Sequence, residues 1–180
     1  MKLRIFTFIF TILSIMSSIS NAYAKEDIGI TPKQFSARVN KDLKSFDFPA
    51  LMPKNPKIVK GDVNNTAQAI LADVLGVTMI INKKTGNVKS VSTILTLTDN
   101  DTANLMLIAA NSSIISSFAG DNEYKELGKK FFMFNAEVVG KYADIKDKEK
   151  GVSEEFSYKG MKFGVTVNSL IGIRSFAQLD

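Results

Sequence analysis

The chain has no cysteine and no histidine. Without cysteine there is no disulfide, no thiolate nucleophile and no lipid attached at a lipobox cysteine. Without histidine as well, Ser-His-Asp and Cys-His catalytic sites cannot be assembled. Zinc and copper lose their preferred ligands for the same reason. Nucleotide motifs are missing too: there is no Gly-x-Gly-x-x-Gly, no phosphate loop and no Ser-x-x-Lys. Tyr142 and Lys146 have Tyr-x-x-x-Lys spacing, which carries meaning only on a nucleotide-binding scaffold. Asp99-Asn100-Asp101 has the opening of a calcium loop. However, Asn104 and Ala110 stand where that loop requires glycine and glutamate, so Asp99 or Asp101 reads as a helix cap. Glu154 and Glu155 are neighbours on a predicted strand and point to opposite faces, which prevents their use as a carboxylate pair. Carboxylate, lysine, serine and tyrosine chemistry is what remains. No cofactor and no metal is expected.

The first 24 residues have the three parts of a secretory signal peptide. Lys2 and Arg4 form the positive region, an apolar run extends from Ile5 to Ile15, and Ala22-Tyr23-Ala24 has the small-x-small form of a cleavage site. The apolar run is shorter than the roughly 20 residues of a membrane span. Residues 25–180 then form one α+β domain. Removing Lys2 and Arg4 lowers the net charge from +5 to +3. Both signs are interspersed along the string, with no basic stripe of aromatic spacing, so nucleic acid is not an expected partner. No later apolar run is long enough to span a bilayer, so no membrane insertion is expected after cleavage. With 45% hydrophobic residues the domain can rely on an apolar core in place of disulfides.

The stretch "ITPKQF", residues 30–35, is a helix start. Thr31 is the cap, Pro32 the first helical residue, and Gln34 completes a Thr-x-x-Gln capping box. Ile30 and Phe35 have the spacing of a hydrophobic staple. Phe35, Val39, Leu43 and Phe46 form one apolar face. Arg38 and Asn40 flank that face, and Arg38 can meet Asp42 at i+4. Pro49, Pro53 and Pro56 then exclude helix and central strand, predicting an extended surface connector. "KIVKGDV" predicts a short strand. Residues 66–76 fit both helical and strand periods and are left open. "VTMII" and "VKSVSTILTLT" pair as a hairpin across "NKKTGN", with Gly86 in the turn and Val91, Leu95 and Leu97 on one face.

Residues 99–120 predict a helix ending at Gly120, with Leu107, Ala110, Ile114 and Phe118 on its central face. Ile108 and Ile115 widen that face, predicting cover on two sides. Asn111 borders it and reads as a buried asparagine satisfied by backbone groups. A second helix carries Tyr124, Leu127 and Phe131, with Phe131, Phe132 and Phe134 as core anchors, and "EVVGKYADI" fits helix or strand. A second hairpin turns at Lys159-Gly160, with Met161, Phe163, Val165 and Val167 inward, and "IGIRSF" is the last strand. This order predicts an antiparallel sheet of about five strands with helices packed on one face.

"GITPKQFSARVN" with the later "INKKTGNVKSV" resembles a group of small secreted bacterial proteins of uncharacterised function. They begin Gly-x-Thr-Pro-x-x-Phe-x-x-Arg-x-Asn after a signal peptide and carry a Lys-x-Gly hairpin. Here the matching residues are Gly29, Thr31, Pro32, Phe35, Arg38, Asn40 and Gly86. The resemblance implies a periplasmic location and a shared fold, and no particular activity. The element order is also similar to that of type III secretion chaperones, but those are cytosolic and usually acidic.

The expectation is a periplasmic or secreted, non-enzymatic module that binds another protein. Its sharpest form is an immunity or inhibitor protein for a toxin or an envelope enzyme. A small-ligand or lipid carrier lined by Leu107 to Phe118 and a carboxylate-dependent hydrolase are the alternatives. Lys83 and Lys84 at the hairpin tip, with Arg38 and Asn40, are the candidate partner-binding residues.

Overall fold

The structure, a computed structural model, describes residues 26–120 and 123–180. The predicted signal peptide lies outside the described residues. Helix α1 spans Pro32–Ser45. Its capping box is complete, with Thr31 N donating to Gln34 Oε1 at 2.9 Å and Gln34 N donating to Thr31 Oγ1 at 3.4 Å. Phe35, Val39 and Leu43 are fully buried. Just before α1 the chain lies alongside residue 88, bending at Asp27 and at Gly29, whose φ is 74°. Ile28 N donates to Val88 O at 3.0 Å and Val88 N donates to Ile30 O at 2.9 Å.

Seven strands follow among the described residues: β1 Ile58–Val59, β2 Asn65–Leu71, β3 Leu75–Ile81, β4 Val88–Leu95, β5 Val152–Tyr158, β6 Met161–Asn168 and β7 Gly172–Leu179. They form one antiparallel sheet in the order β1-β2-β3-β4-β7-β6-β5. The class is the α+β class that the sequence predicts, with more strands than the expected five. Part of the excess comes from residues 66–76, which hold most of β2, a turn and the start of β3. The turn holds Ala72 and Asp73 at positive φ, 51° and 60°. An alanine in the left-handed region is an unusual turn residue, so the string carries no turn signal there. At the turn predicted between β5 and β6, Lys159 and Gly160 both have positive φ, as a tight hairpin requires.

Helix α2 spans Asp101–Ser116 and continues as a 3-10 turn, Ser117–Ala119. Helix α3 spans Tyr124–Asp144, so "EVVGKYAD" completes a helix. The cap of α2 is Asn100, not either flanking aspartate. Its side chain accepts from Ala103 N at 3.0 Å, while Asp101 lies in the first turn, where a negative charge suits the helix dipole. The 2-period alternation buries one side of every central strand. On that side α2 packs over β4 and β7, and α3 packs over β6 and β5. From Ala110 to Phe118 every residue of α2 and its 3-10 turn is buried, so this stretch is enclosed on all sides. Phe131 is fully buried, while Phe132 and Phe134 are half-buried at the margin. Leu97 lies past the end of β4 and is exposed. Among the described residues the opposite side of the sheet carries no helix. There Phe176 lies across Gly164, where a Cβ would sit 2.3 Å from its ring.

Two further details depart from the sequence reading. The proline connector does not merely run over the surface, because Phe48 and Met52 are buried in the core. Asn111 is satisfied by side chains, not by backbone. Thr93 Oγ1 donates to Asn111 Oδ1 at 2.5 Å, and Asn111 Nδ2 donates to Ser175 Oγ at 2.9 Å. Thr93 and Ser175 face each other across the β4–β7 ladder, so one side chain of α2 fixes the helix over two strands.

Candidate functional site

The four candidate residues fall in three places. Lys83 and Lys84 are exposed at the β3–β4 turn. Asn82 builds that turn: its carbonyl accepts from Gly86 N and its Oδ1 accepts from Lys84 N, both at 2.9 Å. Gly86 has φ 74°, which glycine adopts without strain. Asp27, buried to 7% exposure, accepts from Gly29 N, Asn82 Nδ2, Thr85 Oγ1 and Asn87 Nδ2. The lysine-bearing tip is therefore held to the segment that precedes α1. Lys83 Nζ itself donates to Asp62 O at 3.0 Å.

Arg38 is half-buried and donates from Nη1 to Ser117 O at 2.8 Å, where the end of α2 leaves carbonyls without helical partners. Asp42, placed by spacing to meet Arg38, accepts from Ser113 Oγ. Both side chains thus tie α1 to α2. Arg38 also lines a cleft of about 480 Å3 with Ile28, Phe118, Lys159, Met161 and Asp180. Asn40 is a clamp: its Nδ2 donates to Met52 O at 2.9 Å, and its Oδ1 accepts from Met52 N at 2.7 Å.

Beside the Arg38 cleft, Glu123 accepts from Tyr158 Oη at 2.7 Å and from Lys159 Nζ at 2.6 Å. The Lys159 bond, then the Tyr158 bond, holds the Glu123 carboxyl below its ordinary range. The same contacts raise Lys159 and Tyr158. All three groups are accessible to water, and the cluster reads as a tie between the β5–β6 turn and the start of α3.

Two further surfaces were not singled out in the sequence. The first is the β5 edge. As the last strand in the sheet order, β5 pairs only with β6 among the described residues. Val152, Glu154, Phe156 and Tyr158 face the helices and Ser153, Glu155 and Ser157 face away. Lys141 Nζ lies 2.7 Å from Glu154 and Lys162 Nζ lies 3.7 Å from Glu155, so the two glutamates are on opposite faces, each with a lysine. Beside this edge is a cleft of about 580 Å3 lined by Lys130, Met133, Phe134, Ala136, Glu137 and Phe156. Met133 is 61% exposed. Phe134 meets Phe156 edge-on at 4.9 Å, and Lys130 Nζ lies 4.6 Å from the Phe156 ring centre.

The second surface is the outer face of α1. Lys33, Ala37, Lys41 and Lys44 recur at i, i+4, i+8 and i+11, one stripe of a helix. The Asn40 clamp brings Lys54 of the connector beside them, and together these residues line a cleft of about 500 Å3. In the linear string the lysines are separated by aspartate and apolar residues, so the charges look mixed. Only the helical period gathers them.

The chain is thus a one-sided α+β sheet protein with one long open edge and one lysine-lined helix face. Comparison with protein-family models, with curated proteins and with solved structures finds no match.

Proposed function

We propose that the chain is an exported, non-enzymatic module that binds another protein along its β5 edge. Its sharpest form is an inhibitor or immunity protein that occludes a toxin or an envelope enzyme. The observation that supports this reading is the coincidence of a seven-residue edge strand with an apolar cleft at its flank. An edge strand presents backbone donors and acceptors that pair with an extended segment of a partner. The cleft supplies what gives such pairing specificity, a pocket for an apolar side chain between Met133 and Phe156. Lys130, held over two aromatic rings and in no ion pair among the described residues, favours a partner segment that carries an acidic residue nearby. Export is read from residues 1–24 of the sequence. The carrier alternative would line a pocket with Leu107 to Phe118, but those side chains pack against the sheet and the other helices.

The test is capture from an envelope extract by the wild-type chain and by Met133→Asp. Met133 is exposed, so the substitution should change stability by no more than about 0.5 kcal/mol. A partner retained by the wild type and lost by the variant supports the reading. A partner held equally by both removes the β5 edge from the interface.

A further inference from the structure

The positive charge of this protein is concentrated in one segment. Residues 31–60 hold six lysines and one arginine against two aspartates, a net of +5. The rest of the chain from Lys25 onward has a net charge of −2. We propose that the cleft between the outer face of α1 and the connector is a binding site for an anion that carries two or more phosphate groups.

Three observations converge on it. First, Lys33, Lys41, Lys44 and Lys54 line one cleft with Ala37 and Asn40, and among the described residues no carboxylate lines it. Second, none of these four lysines forms an ion pair among the described residues, whereas Lys141, Lys159 and Lys162 each meet a glutamate. The nearest acidic residue on the helix, Asp42, is bonded to Ser113 of α2. Third, the cleft is built by a non-local clamp. Both hydrogen bonds of Asn40 to Met52 fix the connector alongside α1, so Lys54 is delivered to the helix stripe by the fold.

Lys41 and Lys44 are surface neighbours at i,i+3 on the helix, and a lysine cluster without acids keeps its mutual repulsion until an anion neutralises it. A phosphate group carries about −1.5 to −2 charges at neutral pH, so two phosphates balance four ammonium groups. Lysine acts as a point charge and suits phosphate without the planar geometry that arginine imposes. A cleft of about 500 Å3 falls within the usual range for small ligands. Among the described residues no aromatic side chain lines it, which disfavours a single-stranded nucleic acid. The phosphates can belong to a soluble anion or to a lipid headgroup, and the chemistry at the lysines is the same.

Calorimetry with inorganic tripolyphosphate at low ionic strength is the direct test. Binding is expected for the wild type, with affinity falling roughly tenfold or more in Lys41→Gln/Lys44→Gln. Lys83→Gln/Lys84→Gln removes the same charge elsewhere and should bind like the wild type. Amide shift perturbation in the wild-type protein should centre on residues 33–44 and 54, a readout that does not depend on any variant folding. Vesicles of phosphatidylglycerol, compared with phosphatidylcholine, identify the source. Vesicle binding lost in the Lys41/Lys44 variant assigns the site to a lipid headgroup, and tripolyphosphate binding without vesicle binding assigns it to a soluble anion. The proposal is overturned if neither probe binds, if the two double variants weaken binding equally, or if the shifts centre elsewhere.

Discussion

Asn111 and Asn40 each use both ends of a side-chain amide to hold two parts of the chain together, yet they sit in opposite environments. Asn111 is fully buried, and its partners are the hydroxyls of Thr93 and Ser175, also buried, on two neighbouring strands. Asn40 is half-buried on α1, and both its bonds go to the backbone of Met52. The inner clamp fixes a helix over the centre of the sheet. The outer clamp fixes an irregular connector over the surface of a helix. Water can replace the bonds of Asn40 if they break, but not those of Asn111. The same chemistry should therefore contribute very unequally to stability, because the cost of an unmade bond depends on burial.

The largest effect is expected at the inner clamp. Asn111→Ala strands two buried hydroxyls and opens a small cavity, and should lower stability by about 3 kcal/mol. Urea unfolding measures it. The comparison sharpens with the triple variant Asn111→Leu, Thr93→Val, Ser175→Ala, which removes every polar partner together and should recover most of the loss. If the triple variant is no better than Asn111→Ala, packing and not hydrogen bonding dominates at that seam. Next comes the outer clamp. Asn40→Ala should cost about 1.5 kcal/mol and should speed amide exchange in residues 48–56 more than elsewhere. A loss as large as that at Asn111 would break the comparison.

Thr31→Ala tests a third situation, a clamp made within one helix end and open to water. Losing the capping box should cost about 1 kcal/mol, read as a lower urea midpoint. An unchanged midpoint would mean that the box contributes nothing to the folded chain.

These three sites were not equally legible in the string. The capping box is local, four residues long, and could be read directly. The hairpins at Gly86 and Lys159-Gly160 were legible because a glycine marks each turn. The β2–β3 hairpin was not, because Ala72 and Asp73 adopt positive φ with no glycine to signal it. Asn111 was legible as a buried polar residue, but its partners lie 18 and 64 positions away. The individual strands of the last hairpins could be read, but their order could not. Only the pairing of β4 with β7 puts β7 inside the sheet and leaves β5 as the edge. The lysine face was hidden twice, by the helical period and by the non-local Asn40 bonds that bring Lys54 to it. Local spacing thus carried the elements and their caps, while the surfaces with functional promise depended on contacts between distant segments.

The charged end of the comparison is the water-accessible cluster of Glu123, Tyr158 and Lys159. Here water competes for every bond, so Glu123→Gln should have the smallest effect of the four, below that of Thr31→Ala. Its signature is in pH. The Glu123 carboxyl is held below its ordinary value, chiefly by the Lys159 hydrogen bond. Its contribution is therefore present above the unfolded carboxylate pKa of about 4.3 and is lost as pH falls through the lower folded value. Lys159 is raised, chiefly by the Glu123 hydrogen bond. That contribution is present below the unfolded lysine pKa of about 10.4 and is lost as pH rises through the higher folded value. The difference in urea midpoint between the wild type and Glu123→Gln should thus form a plateau between about pH 5 and pH 10 and vanish in acid. Added salt should shrink it, since exposed charges are screened. A difference that persists at strongly acidic pH would show that the glutamine disturbs packing at the start of α3, and would move this cluster from the exposed to the buried side of the comparison.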